Sequence, residues 1–329
     1  MNISVVICTC NGEKYIGDQL KSIVSQTLPP NEIIICDDDS EDNTLEIAEK
    51  VLTSFEGKIV IRKNSERVGV AKNFINGYRL ASGEYIFSCD QDDVWRPNKI
   101  EIFFDAFQSS HKELYFSNGL VVDENLHSLG FTTWDRVKFS KHMESDLLDI
   151  LLKRDIVTGA EMAVSKKLVE KIFDMPSEYY LHDEWLALNA ALANSIEAID
   201  SDTFMYRQHG NNVAGMKANE KGLVDGIKIW VQNCRTLKSS YYRNFMRFSL
   251  LQRNAKSSGI ESDKLDKCIL FWEGLYDLGQ YSKKKSIVYC LRNYFNGNYN
   301  RYFVGIRGAL RDVICIIAGL NEGVIECED

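Results

Sequence analysis

The stretch Ile86–Lys99, IFSCDQDDVWRPNK, decides the fold, because it joins a buried strand to a dense acidic turn. Asp90, Asp92 and Asp93 directly follow a run of strand-forming residues. Like charges this close repel one another, and each resists removal from water. Either the carboxylates face solvent and one of them caps the helix that follows Pro97, or a positive group belongs among them.

The first hundred residues alternate between apolar runs and segments with helical spacing. The predicted strands are ISVVICT, EIIICDD, KIVIRK and EYIFSCD, and the predicted helices cover 13–26, 42–55 and 68–83, with Gly83 as the stop of the last one. Uniformly apolar strands joined by helices predict a parallel sheet that is covered on both faces. Farther along, ELYFSNGLVVD and DIVTGAEMAVS are predicted as strands, Glu184–Asn194 as a helix and YRQHGNNVAG as a loop.

Polar side chains follow three of these strands, at Thr9–Asn11, Asp37–Asp39 and Asp90–Asp93. Ligands of such sheets bind beyond the carboxyl ends of the strands, so these residues predict a site. Carboxylates at Asp90 and Asp92 could share a hard cation, Mg²⁺ or Mn²⁺, that holds a diphosphate. The alternative for both acidic turns is that one carboxylate caps the following helix.

Composition and charge limit the class of protein. The chain has 329 residues, 45% of them hydrophobic, which suits one large domain or a domain with an appendage. A net charge of −8 argues against a general nucleic-acid binder. Nine cysteines without zinc-like spacing favour a reduced, cytoplasmic compartment, and the first residues lack the basic region of a signal peptide.

Several common motifs are absent from the sequence. It contains no G-x-x-x-x-G-K-[ST] phosphate loop, no G-x-G-x-x-G after the first strand, no H-E-x-x-H and no G-x-S-x-G. The predicted site is therefore made of carboxylates, which bind phosphates through a bridging cation.

Six stretches, in order over residues 2–215, together resemble a family-2 glycosyltransferase of the GT-A fold. They are ISVVICTCNGEKYIGDQLKSIVSQT, EIIICDDDSEDNT, VGVAKNFINGYRLASGEYIFSCDQDDVWRP, VTGAEMAVS, LHDEWLAL and YRQHGNN. The resemblance implies an α/β fold with a mostly parallel nucleotide-binding sheet flanked by helices and a helical C-terminal extension. It implies a catalytic domain over 1–215, with a nucleotide-binding half of about 1–95 and an acceptor half of about 96–215, followed by a mainly helical region over 216–329.

The resemblance also implies a role for each matching residue. Asp183 occupies the position of the catalytic base, although an isolated Asp before a helix would more simply be an N-cap. Asp90 and Asp92 form the D-x-D element, and His209 is implied as a further metal ligand. The implied nucleotide-binding residues are Thr9, Asn11, Asp38 and Asp90, and the implied sugar and acceptor residues are Gly159, Glu161, Glu184 and Trp185. Trp185 could equally be a packing residue.

Two positions depart from the family pattern. Cys10 stands where many members carry an aromatic residue that stacks on the base, and Asp39 stands where Gly or Asn is common. Both departures concern the identity of the base rather than the family.

The activity implied is inverting, metal-dependent transfer of a sugar from a UDP- or dTDP-sugar, with rhamnose favoured, to a growing glycan acceptor, lipid-linked or not. The cofactor would be Mn²⁺ or Mg²⁺, and the pathway would be bacterial surface polysaccharide synthesis. The alternatives are a non-catalytic module that binds nucleotide-sugar or glycan on the same fold, and a metal-dependent phosphotransferase.

The C-terminal region is basic. Seven Lys and Arg residues and no acid lie between Tyr281 and Arg311. The residues Phe303, Ile306, Leu310, Val313, Ile314 and Ile317 fall on one helical stripe. This stripe predicts either a helix packed on the catalytic domain or an interfacial helix that contacts anionic lipid from the cytoplasmic side.

Overall fold

The structure is a computed structural model, and it describes residues 2–173, 175–210 and 237–319. Contacts between Cα atoms divide the chain into two compact units, one of 1–147 with 155–215 and one of 148–154 with 216–329. Asn211 and Asn212 of the YRQHGNN motif and the predicted boundary after residue 215 lie outside the described residues.

The strands and helices have the following bounds. The strands are β1 Ile3–Thr9, β2 Glu32–Asp37, β3 Lys58–Lys63, β4 Tyr85–Asp90, β5 Val94–Trp95, β6 Leu114–Val122, β7 Ser128–Thr132, β8 Met162–Ser165 and β9 Ile196–Arg207. The helices up to residue 210 are α1 Ile16–Val24, α2 Thr44–Leu52, α3 Val70–Leu80, α4 Lys99–Ser110, α5 Thr133–Val137, α6 Leu147–Leu151, α7 Lys166–Val169 and α8 His182–Leu192. The later helices are α9 Leu237–Ser257, α10 Asp263–Tyr276, α11 Lys283–Phe295, α12 Asn298–Tyr302 and α13 Ile306–Ala318.

One sheet runs through the first unit in the order β3-β2-β1-β4-β8-β6-β9-β5, and β7 pairs with β6. The strands β3, β2, β1 and β4 are parallel neighbours, whereas β8 is antiparallel to β4. Thr9 lies opposite Asp37, and Cys8 lies opposite Asp90. The three polar strand ends therefore meet at one edge of the sheet, as predicted, and the α/β fold class is confirmed.

Helices cover both faces of the parallel part. Val5 and Ile7 share one core with Ile16 and Leu20 of α1. On the opposite face, α3 approaches so closely that a Cβ at Gly77 would lie 2.3 Å from Cγ1 of Val6. Because side chains alternate along a strand, β1 is buried on both faces, which explains why its sequence is apolar throughout.

Some predicted elements differ from the structure. The helix α3 ends at Leu80, so the predicted stop at Gly83 is wrong. Gly83 instead packs against β1, where its N–H donates to Oγ of Ser4 at 2.7 Å and a Cβ would lie 2.4 Å from the same atom. Only Met162–Ser165 of the run DIVTGAEMAVS forms a strand. The strand β9 was not predicted, because acidic residues interrupt its apolar pattern.

The described part of the second unit is helical, as the predicted C-terminal extension requires. Its buried carboxylate, Asp312, accepts hydrogen bonds from the hydroxyl groups of Tyr241 and Tyr299, and it pairs with Arg311 at 3.0 Å. This network fixes which face of α13 points inward.

No helix within 2–173, 175–210 or 237–319 is long and apolar enough to cross a membrane.

Glu32, the first residue of β2, links this strand to β1, to β3 and to the loop before β4. Its carboxylate accepts hydrogen bonds from the hydroxyl groups of Ser4 and Ser82, and Lys58 lies 3.1 Å away. Burial by itself would raise the pKa of Glu32, but these hydrogen bonds outweigh burial and lower the pKa from 4.5 to about 2. The ionised carboxylate therefore stabilises the folded state.

We expect Glu32→Gln to remove a stabilisation that depends on pH. Because the pKa is lower in the folded state, this stabilisation is fully present above pH 4.5 and is lost as pH falls towards 2. The difference in unfolding free energy between wild type and variant, measured by urea denaturation, should shrink over that interval. The exposed Glu56→Gln is the control, and a difference that stays constant from neutral pH to pH 2 would contradict the prediction.

Candidate active site

The carboxyl end of β4 places the acidic turn at the edge of the sheet. Asp90 is the last residue of β4, and Asp92 follows two residues later, before β5. Burial, together with the negative charges of Asp92 and Asp183, raises the pKa of Asp90 to about 7. Three predicted site carboxylates are therefore near enough to repel one another.

His209 reaches this turn from the end of β9. Its Nε2 lies 2.9 Å from Oδ2 of Asp92, and its ring stacks on Tyr15 with the ring centres 4.7 Å apart. The structure thus brings together Asp92 and His209, which are 117 residues apart in sequence. This proximity depends on the unpredicted strand β9, which ends two residues earlier.

The donor set suits a divalent cation. Within the described part of the chain, no group of three His, Cys, Asp or Glu side chains could hold a metal ion by itself. Mg²⁺ and similar ions, however, are commonly bound by one or two carboxylates with the remaining positions filled by substrate phosphates and water. Asp92 and His209, with the repelling carboxylate of Asp90 close by, fit such an open site.

Asp93 does not cap α4, so the capping interpretation of this residue is wrong. The N-cap is Asn98, and Asp93 is 1% exposed. Oδ1 of Asp93 accepts the backbone N–H of Arg207 at 3.0 Å, while the Arg207 guanidinium donates to the carbonyl oxygens of Asp92 and Glu124. Arg207 therefore holds the acidic turn from β9; it belongs to the YRQHGNN stretch, but the sequence predicted no role for it.

Lys99, the last residue of the opening stretch, supplies the positive group that the acidic turn requires. Its side chain is 0% exposed, and Nζ donates to the carbonyl oxygen of Ala160 at 2.7 Å. Nζ also lies 4.6 Å from the ring centre of Trp95 and 4.5 Å from that of Phe204. Burial lowers the pKa of Lys99 to about 8, although the neighbouring acids Asp93 and Glu161 act in the opposite direction.

The turn Gly159–Glu161 lies between Lys99 and the predicted base. Oε1 of Glu161 accepts the N–H of Thr158 at 3.0 Å, and Oε2 accepts the hydroxyl of Thr133 at 2.9 Å. Burial raises the pKa of Glu161 to about 8. Glu161 is 1% exposed, so in this structure its carboxyl group fixes the turn rather than facing solvent.

Asp183 is held by two backbone groups. Oδ2 accepts the N–H of Gly159 at 3.0 Å, and Oδ1 accepts the N–H of Glu184 at 2.8 Å. The helix α8 begins at His182 with Leu181 as its N-cap, so Asp183 lies in the first turn and the N-cap interpretation is wrong. A carboxylate in that position is stabilised by the helix dipole.

His182 and Trp185 pack beneath Asp183. The His182 ring stacks on Phe74 at 3.8 Å between centres, and a Cβ at Gly159 would lie 2.7 Å from its Nε2. Trp185 is buried against Tyr180. The structure therefore gives Trp185 a packing role and explains why residue 159 is glycine, whereas Glu184 remains half-exposed.

The ends of β1 and β2 are joined by hydrogen bonds. The Thr9 hydroxyl donates to Asp37 at 2.8 Å, Ser40 also donates to Asp37, and the Asn11 N–H donates to Ser40 at 2.8 Å. The side chain of Thr9 is thereby occupied and buried. Asp37, which lies at a predicted polar strand end but had no individual predicted role, organises this end of the sheet.

Asp38, the predicted base-reading residue, holds the loop before α3. Oδ1 accepts the N–H of Val68 at 2.7 Å and the amide of Asn64 at 3.0 Å, and Oδ2 accepts the N–H of Gly69 at 2.9 Å. Since each carboxylate oxygen has two lone pairs, Oδ2 can accept one further donor.

Asn11 and Asp39 have left-handed backbones, with φ of 49° and 57°. This conformation favours Gly and Asn, and Asp tolerates it. The structure thereby accounts for Asp39 at a position where Gly or Asn is common.

We expect Lys99→Met to destabilise the fold by about 1–3 kcal/mol, because it removes the buried hydrogen bond from Nζ to the Ala160 carbonyl oxygen and the positive charge near Asp93 and Glu161. Adding Glu161→Gln should recover part of the loss, since it removes one of the two carboxyl groups. Urea denaturation of the single and double variants measures both effects, with the exposed Lys72→Met as the control. If the losses in unfolding free energy caused by Lys99→Met and Glu161→Gln simply add in the double variant, Lys99 and Glu161 are not energetically coupled.

Comparison with known proteins identifies the family of this chain. The model of glycosyl transferase family 2 matches residues 4–173. The dTDP-rhamnosyl transferase RfbG of Shigella flexneri is 30% identical over 224 residues, which are 65% of this chain and 75% of that protein. The UDP-Glc:alpha-D-GlcNAc-diphosphoundecaprenol beta-1,3-glucosyltransferase WfgD of Escherichia coli is 26% identical over 223 residues, which are 66% of this chain and 81% of that protein.

The shares of 75% and 81% mean that this chain covers most of the length of these two relatives. Among solved structures, residues 1–349 of S. aureus TarS in complex with UDP-GlcNAc align with a TM-score of 0.55 and 15% identity, covering 99% of this chain and 93% of that one. This likeness supports the expected fold. Because the family model matches more than half of the chain, the protein belongs to glycosyl transferase family 2.

Proposed function

We propose that this protein is an inverting glycosyltransferase that moves a sugar from a UDP- or dTDP-linked donor to a hydroxyl group of a growing glycan. The observation that carries this proposal is the proximity of Asp183 to the pair Asp90 and Asp92 in a chain of this family. Asp90 and Asp92 would lie on the side that takes the donor diphosphate, and Asp183 on the side that activates the acceptor.

Asp183 is the proposed general base. The N–H groups of Gly159 and Glu184 donate to its two carboxylate oxygens and hold the side chain in place. The carboxylate would remove the proton of an acceptor hydroxyl while that oxygen bonds to the anomeric carbon. The bond from that carbon to the diphosphate breaks, and the nucleoside diphosphate leaves with the electron pair. A single displacement of this kind inverts the anomeric centre, and base catalysis contributes roughly 10²–10⁴ in rate.

The nucleotide would bind at the ends of β1 and β2, near Thr9 and Asn11. The free lone pair on Oδ2 of Asp38 could accept the N3–H of uracil or thymine. Asp37 and Ser40 keep this end of the sheet in place without contacting the nucleotide.

Asp90, Asp92 and His209 are the proposed ligands of a Mn²⁺ or Mg²⁺ ion. Such an ion, when bound, offsets the negative charge that grows on the departing diphosphate. Arg207 holds the backbone of the acidic turn, so that Asp92 and His209 stay close together. The bound charge would also relieve the repulsion between Asp90 and Asp92.

The donor sugar and the acceptor are proposed from the relatives. One relative is named as a dTDP-rhamnosyl transferase and another as a glucosyltransferase that uses UDP-Glc, so rhamnosyl and hexosyl donors are the classes to test, with rhamnose first. The second name also specifies an acceptor linked to diphosphoundecaprenol. We propose a lipid-linked glycan acceptor, used at the cytoplasmic face of the membrane in surface polysaccharide synthesis. Glu184, half-exposed beside the base, is the proposed acceptor contact.

We expect Asp183→Asn to lower sugar transfer by about 10²-fold or more while donor binding stays unchanged, because the amide cannot take the proton. The measurement is release of nucleoside diphosphate from a panel of UDP- and dTDP-sugars with a lipid-linked glycan acceptor. Asp105→Asn, at an exposed position of α4, is the matched control. Near-wild-type transfer by Asp183→Asn would contradict the assignment of Asp183 as the general base. Binding of donors without any turnover by the wild type would favour a non-catalytic binding module.

We expect Mn²⁺ to strengthen donor binding. Asp92→Asn and His209→Ala should each lower the apparent affinity for Mn²⁺ by about tenfold or more. The readout is the melting temperature with UDP or dTDP, with Mn²⁺ or with a chelator, so it requires no acceptor. An unchanged response to Mn²⁺ in both variants would contradict the assignment of these ligands.

A further inference from the structure

Exposed apolar side chains are concentrated near the C-terminal end of the described chain. Nine of the fourteen exposed large hydrophobic residues found in the described segments lie between Tyr281 and Ile317. A cluster of exposed apolar residues often marks a contact site, whereas single exposed apolar residues are common on protein surfaces.

The exposed residues of α11 form one stripe. Lys284, Val288, Leu291 and Phe295 are spaced by four, three and four residues, which places them on one face of the helix, and Phe295 is 79% exposed. The buried residues Ser286, Cys290 and Asn293 lie on the opposite face. The helix therefore packs through small and polar residues and turns its large apolar ones outward.

The same inversion occurs in α13. The exposed stripe consists of Ile306, Leu310, Ile314 and Ile317. The buried face includes Gly308, Ala309 and the carboxylate Asp312, which Tyr241 and Tyr299 bind. Those hydrogen bonds hold Asp312 inward, and Ile306, Leu310, Ile314 and Ile317 of the predicted stripe are exposed, whereas Phe303 and Val313 are half-buried and Ile316 is buried.

The two helices lie side by side. They pack against each other, and Nζ of Lys283, the first residue of α11, donates to the carbonyl oxygen of Ile317 in the last turn of α13 at 3.3 Å. We name the exposed stripes of α11 and α13 together the apolar face.

Basic side chains accompany the apolar face. The exposed bases are Lys284, Lys285, Arg292, Arg301 and Arg307. No acid occurs from Tyr281 to Arg311, and the next one, Asp312, is buried and paired. A chain with a net charge of −8 thus presents one strongly positive, apolar surface.

We propose that the apolar face docks on the surface of an anionic phospholipid bilayer. Such a surface offers both an apolar boundary for the stripes and negative charge for the bases. A second copy of the chain is a poorer partner, because a two-fold contact would bring the same positively charged surface of both copies together. This proposal goes beyond the proposed transferase activity and is tested without turnover.

The test is flotation of the full-length protein with vesicles. We expect wild type to bind vesicles of phosphatidylcholine with phosphatidylglycerol, and to bind pure phosphatidylcholine at least about tenfold less. Added salt should weaken the binding. Leu310→Asp with Ile314→Asp, and separately Lys284→Glu with Arg307→Glu, should each lower it by about tenfold or more.

The control is Leu270→Asp, an exposed position of α10 outside the apolar face, which should bind like wild type. Melting temperatures verify that every variant is folded, which is expected because the altered side chains are exposed. Failure of wild type to float with the anionic vesicles, or wild-type binding by both double variants, would overturn the proposal. The proposal would equally be overturned if the wild type were a dimer without lipid and the double variant Leu310→Asp with Ile314→Asp were a monomer. That result would identify a second copy of the chain as the partner of the apolar face.

Discussion

The buried negative charge at the end of β4 is the constraint on which the rest of the site depends. A parallel strand that ends in Asp90 and continues to Asp93 places carboxylates where water is largely excluded, so cations must be supplied by the fold. Lys99 supplies one from the start of α4, and Arg207 supplies another from β9. The strand β9 lies beside β5 in the sheet, and its last residue, Arg207, therefore reaches the acidic turn.

The turn Gly159–Glu161 links the two halves of the site through its backbone. The Gly159 N–H donates to Asp183, and the Ala160 carbonyl accepts from Lys99. The proposed base and the acidic turn are therefore positioned by neighbouring atoms of one short segment. Its geometry requires glycine at 159, because the His182 ring fills the space of a Cβ. Pre-organisation of this kind keeps both carboxylate groups in place before any substrate binds.

Much of the sheet was predictable from the sequence, whereas the partners of its charged residues were not. The bounds of β1 and β3 match the predicted runs, because both runs are rich in β-branched residues, which favour strands. The acidic residues within β9 obscured its pattern, so the element that delivers His209 was missed. Asp93 was expected among possible caps, but its partner is the backbone of Arg207.

The sequence by itself determined the alternation of strands and helices, the meeting of polar strand ends at one edge and the resemblance to family 2. Each of these depends on the order and spacing of residues along the chain. The tertiary structure was needed to show that Lys99 lies buried near the acidic turn, that Asp183 lies within the first turn of α8, and that Ile306, Leu310, Ile314 and Ile317 of α13 are exposed. The physical reason is that a buried charge or an inward face is chosen by contacts with residues far away in sequence. Asp312 illustrates this dependence, since the hydroxyl groups that hold it inward belong to Tyr241 and Tyr299.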